Sequence, residues 1–125
     1  MHTKLLLSTL ILSITSGVYS LGCFTGGETF EQVLGASDLS IASNDPCMTL
    51  QGMYAAGDAK TFCLASNLGN RINYVVMNNL GDSTNLVYEE CVQSVSTEVN
   101  ACDHGSTQNH GNFFFKIDPN AGLCS

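Results

Sequence analysis

The chain has 125 residues, with eleven Asp or Glu, four Lys or Arg and three His, a formal charge of −7 at pH 7. A charge of that sign repels a nucleic-acid backbone and an anionic membrane surface, so neither is expected as a partner. A chain this short buries one modest core, and its six cysteines and two prolines point to a single cross-linked domain.

In chain order, Lys4 precedes an apolar run from Leu5 through Ile14, and Ser16, Gly17, Val18 and Ser20 follow. The pattern predicts an export signal over residues 1–20, cut after Ser20; the competing reading is a membrane anchor, for which the run is too short. No later apolar run reaches about twenty residues, so no membrane insertion is expected. Residues 21–125 then form one secreted, extracellular domain. It keeps three strong bases, Lys60, Arg71 and Lys116, against eleven acids, a formal charge of −8.

All six cysteines (Cys23, Cys47, Cys63, Cys91, Cys102, Cys124) fall in that domain, and an even count in an exported chain predicts disulfides. Zinc ligation needs close pairs such as C-x-x-C, which are absent, so no metal and no cofactor is expected. Fifteen pairings are possible. Cys91 and Cys102 share a predicted helix, on which eleven steps separate their Cα atoms by roughly 16 Å. A disulfide needs less than about 7 Å, so this pair is excluded and twelve connectivities remain.

Thr29 to Leu34, with Phe30, Val33 and Leu34 at helical spacing, predicts a short first helix closed by Gly35. Asp45 to Gln51 predicts a second, with Asp45 as cap, Pro46 at the first helical position and Gly52 at the end. Residues 61–66 and 71–78, rich in β-branched and aromatic side chains, predict an antiparallel hairpin around Asn67 to Asn70. A brief extended piece near Leu86 leads to Glu89 and Glu90, which suit a helix N-terminus. Cys91, Val92, Val95, Val99 and Cys102 then mark an amphipathic principal helix over about 88–102. A polar loop over Ser106–Gly111, a strand over 112–118 and a turn at Pro119-Asn120 complete the chain. In Phe113-Phe114-Phe115 one ring faces outward if the other two face inward.

Two polar segments could carry a site. The first gathers Asp103, His104, Ser106, Gln108, Asn109 and His110, whose groups suit acid–base work, metal ligation or hydrogen bonding to a sugar; a solvated connection is the plain alternative. The second, Gly52 to Lys60, combines Tyr54, Asp58 and Lys60. A pyranose has an apolar C–H face that packs on a ring and an edge of hydroxyls that needs paired donors and acceptors, which such mixtures supply. Tyr54 could equally close the core edge.

Nearly all of the mature chain resembles a family of fungal secreted proteins, the mushroom glycan-binding proteins of the Y-three type. The resemblance is carried by Cys23 with Gly26-Gly27-Glu28, by Gly52-x-Tyr54-x-x-Gly57-x-x-Lys60-x-Phe62-Cys63, and by Glu90-Cys91. It continues through Glu98-Val99-Asn100-Ala101-Cys102-Asp103-His104-Gly105 and Asp118-Pro119-Asn120-Ala121-Gly122-x-Cys124. It implies a small α/β/α sandwich and a lectin without catalysis, selective for cell-surface or glycoprotein glycans with terminal N-acetylhexosamine, with or without fucose. Weak single sites would gain avidity from a homodimer or a dense target. The alternatives are a toxin or effector acting on a protein receptor and a small secreted ribonuclease. For the latter, no Glu adjoins the histidines in sequence, and only Arg71 is at hand to hold a phosphate.

Overall fold

A computed structural model describes residues 22–35 and 39–125. The predicted export signal lies outside the described residues. In order, the elements are α1 (Phe30–Leu34), α2 (Ile41–Leu50), β1 (Gly52–Tyr54), β2 (Ala59–Ala65), β3 (Asn70–Asn78), β4 (Thr84–Leu86), α3 (Tyr88–Ala101), β5 (Ser106–His110) and β6 (Phe113–Ala121). The expected single disulfide-stapled α/β domain with one principal helix is what the chain forms.

α1 starts with a capping box: the Gln32 N–H donates to Thr29 Oγ1 at 3.1 Å and the Thr29 N–H to Gln32 Oε1 at 2.8 Å. α2 begins earlier than the sequence predicts, at Ile41, so Pro46 sits inside the helix rather than at its start. Pro46 has no N–H to return to the Ala42 carbonyl, one turn back. The Tyr74 hydroxyl on β3 supplies the missing donor at 2.5 Å. At the helix end, where carbonyls lack intrahelical partners, the Tyr54 hydroxyl donates to Leu50 O, also at 2.5 Å. Two strand tyrosines thus complete the hydrogen bonding of one proline-interrupted helix.

The main sheet is antiparallel, in the order β2-β3-β6-β5, and β1 pairs separately with β4. The segment expected as the loop Ser106–Gly111 is instead strand β5, paired with β6 from Ser106↔Ile117 to His110↔Phe113. Gly111-Asn112 makes the two-residue turn between them, with Gly111 at φ 59°. Cys23 bridges Ser106 along the outer edge of β5; the Phe24 N–H donates to Gly105 O and the Thr107 N–H to Gly22 O. A covered edge and a partner strand outweigh the low strand propensity of a polar segment. Likewise Pro119 lies within β6, opposite Ile72 and not in a turn. It stands past the last β5–β6 pair, where that side of β6 has no ladder to complete.

One face of the sheet carries Ile72, Tyr74, Val76, Phe113, Phe115 and Ile117, which form the core with Phe30, Val33, Leu50, Cys91 and Val95 of the three helices. Its other face presents Asn73, Val75, Met77, Phe114, Lys116 and Asp118, half-buried or exposed. Phe114 is therefore the outward ring of its triplet. Three disulfides fasten the domain, Cys23–Cys102, Cys47–Cys91 and Cys63–Cys124, and the excluded Cys91–Cys102 pair is absent. They mark an oxidising compartment. No described helix is long and apolar enough to cross a membrane.

Candidate functional site

Because β5 is a strand, its side chains alternate between the two faces of the sheet. Ser106, Gln108 and His110 pair with Ile117, Phe115 and Phe113 and share their helix-side face, whereas Thr107 and Asn109 share the other with Lys116 and Phe114. The residues expected on one loop are thus divided.

On the helix side they meet a residue that sequence reasoning missed. Glu98 of α3 is only 6% exposed. The Ser106 hydroxyl donates to its Oε1 at 2.7 Å, and His110 Nε2 lies 2.8 Å from its Oε2. A buried carboxylate needs such partners to offset its lost hydration. The His110 ring also meets Phe115 edge-on, with centroids 5.5 Å apart. A signal was available: Glu98 stands three residues after Val95 and seven after Cys91, within the apolar stripe of α3, where an acid is out of place unless it is held.

His110 lies at the rim of a shallow groove of about 290 Å³, which Glu90, Gln93, Ser94 and Thr97 of α3 and Gly111 of the hairpin turn complete. All four α3 residues lie on that helix's polar face and project toward the end of the β5–β6 hairpin. Amide, hydroxyl, carboxylate and imidazole groups there converge on one open depression, and among the described residues its lining holds no Lys or Arg.

The other expected residues lie elsewhere. Asp103 lines a separate hollow of about 150 Å³ with Thr29, Phe30, Glu31, Leu39 and Val99. His104 Nδ1 is 2.9 Å from Gly27 O, beyond the opposite end of β5 from His110. Asn109 is exposed on the other face and accepts from Asn79 Nδ2 at 2.9 Å. The second segment is also no continuous loop, since Gly52–Tyr54 is β1 and Ala59 opens β2. Tyr54 is 1% exposed, and its ring packs edge-on against Phe113. Burial pushes its hydroxyl up to about 12. Lys60 Nζ lies 4.4 Å from the centre of that ring and donates to Gln51 O at 3.0 Å, so this pair closes the core edge. Asp58 is exposed in the turn before β2.

Compared with known proteins, the chain matches no family model and no curated protein.

Proposed function

We propose that this is a secreted carbohydrate-binding protein, without catalysis, that recognises glycans bearing a terminal N-acetylhexosamine through the groove between α3 and the β5–β6 turn. The observation that carries the reading is the lining of that groove: Glu90, Gln93, Ser94, Thr97 and His110 offer hydroxyl, amide, carboxylate and imidazole groups around one shallow, solvent-open depression. Sugars are recognised by such convergent polar groups on an open, solvent-accessible surface. The resemblance to the Y-three type of glycan-binding protein supports the same reading. Three disulfides accord with secretion.

The test is a glycan array probed with oxidised protein in multivalent form, with free N-acetylhexosamines as competitors. Selective, competable retention is expected, reduced about tenfold by Gln93→Ala, the scale of a lost polar contact. Folded protein that retains no glycan would overturn the reading.

The contact between Glu98 and His110 favours one second reading, acid–base hydrolysis of RNA. Charge disfavours it. Glu90 lines the groove, and Arg71 is occupied at the far end of β6, donating to Asn73 Oδ1 and Ala121 O. RNA hydrolysis by purified protein, abolished in His110→Ala, would revive it.

A further inference from the structure

We infer that Glu98, braced by Ser106, is a positioning residue that fixes the Nε2–H tautomer of His110 and so offers Nδ1 as a hydrogen-bond acceptor for a neutral or cationic sugar in the groove. The inference rests on the glycan-binding reading and adds to it the chemistry of the ligand.

An ionised carboxylate has no proton to give. With Glu98 as a carboxylate, its 2.8 Å contact from Oε2 to His110 Nε2 places the proton on Nε2. In a neutral imidazole the other nitrogen then carries the lone pair. Ser106 sets the carboxylate from the other side: its hydroxyl occupies Oε1 at 2.7 Å and is itself buried, so the carboxylate is held at both oxygens. Phe115, edge-on at 90°, limits how the ring can turn.

Two other lining groups agree in sign, while the Gln93 amide and the Ser94 hydroxyl can both donate and accept. Glu90 only accepts. The Thr97 hydroxyl spends its proton on Gln93 O at 2.8 Å, leaving its lone pairs for a ligand. Among the described residues, the charged groups facing His110 are Glu98 beneath it and Glu90 across the groove, with no Lys or Arg in the lining. The acceptors at Glu90, Thr97 and His110 Nδ1 favour ligands rich in N–H and O–H donors, for example a 2-acetamido or 2-amino sugar. They reject a sugar carrying a carboxylate, which would lie beside two others.

The test reads the imidazole ¹⁵N resonances of His110 at neutral pH in the oxidised protein, alone and with N-acetylglucosamine, glucosamine or glucuronic acid. The wild type is expected to show the Nε2–H form, with the Nδ1 resonance moving on addition of the first two sugars and not the third. Glu98→Met, which keeps the bulk and removes the acceptor, is expected to lose the tautomer excess, and Glu98→Gln, which keeps one acceptor, to restore part of it. Should Glu98→Met fail to fold, the wild-type tautomer and Ser106→Ala still decide. A wild-type Nδ1–H form, or an equal response to glucuronic acid, would overturn the inference and leave the protein a glycan binder. No response to any sugar, in protein with the expected tautomer, would instead overturn the glycan reading of the groove and the ligand half of this inference with it.

Discussion

Removing one oxygen atom, in Tyr74→Phe, should expose how α2 tolerates its internal proline. Ala42 is completely buried and Tyr74 is 1% exposed, so no water can replace the hydroxyl that donates to the Ala42 carbonyl. Pro46 cannot restore the helical bond, and the carbonyl is left without a partner. An orphaned buried acceptor costs about 1–3 kcal/mol, which for a domain of this size lowers the melting temperature by about 4–8 °C per kcal/mol. The informative assay is a double-mutant cycle followed by thermal melting with the disulfides intact. In a Pro46→Ala background the residue 46 N–H satisfies the carbonyl, so losing the hydroxyl should cost about 1 kcal/mol less than it does beside proline. Equal costs in the two backgrounds would refute the reasoning, because the tyrosine would then be packing against the helix and not completing it.

Three further outcomes follow from the same core. Burial raises the hydroxyl of Tyr54 from 10.0 to about 12 and that of Tyr74 still higher, so the folded state keeps protons that the unfolded state releases. Stability should be intact below pH 10 and fall as pH climbs from 10 towards 12, by about 1.4 kcal/mol per pH unit for each tyrosine; a flat urea midpoint over that window would contradict this. Asn78 Nδ2 faces the carbonyls of Tyr54, Ala55 and Asp82 at 3.3, 3.2 and 2.8 Å, so Asn78→Asp, which has no donor to offer, should cost about 3 kcal/mol in chemical denaturation. Cys47–Cys91 closes a separation of 44 residues between α2 and α3, and replacing both cysteines by alanine should lower stability by roughly 4 kcal/mol, with an unchanged denaturation midpoint counting against it.

The elements that were legible in the sequence are those whose causes are local. α3 shows its apolar stripe, the β2–β3 hairpin its branched and aromatic runs, and α1 its helical spacing and closing glycine. What escaped depends on partners far along the chain. Residues 41–44 join α2 because a tyrosine 32 positions from Ala42 makes an internal proline tolerable, and local rules place a proline at a helix start. β5 is polar and reads as a loop, yet it is held between β6 and the segment around Cys23. Tyr54 satisfies any composition-based rule for a sugar platform, and only the fold shows its ring against Phe113.

The same non-local cause decides which candidate residues can act together. Had residues 106–110 been a loop, Ser106, Asn109 and His110 could all have turned to one ligand; a strand's period of two sends Asn109 to the face away from His110. It also delivers Ser106 and His110, four residues apart, to the two oxygens of a single carboxylate. That convergence bears on why an acid occupies the apolar stripe of α3 at all. A buried carboxylate gains little net stability from its hydrogen bonds, and an apolar side chain of similar volume is often as stabilising or better. Packing alone therefore gives no reason for Glu98, whereas fixing the orientation and proton of a histidine at the rim of the groove does.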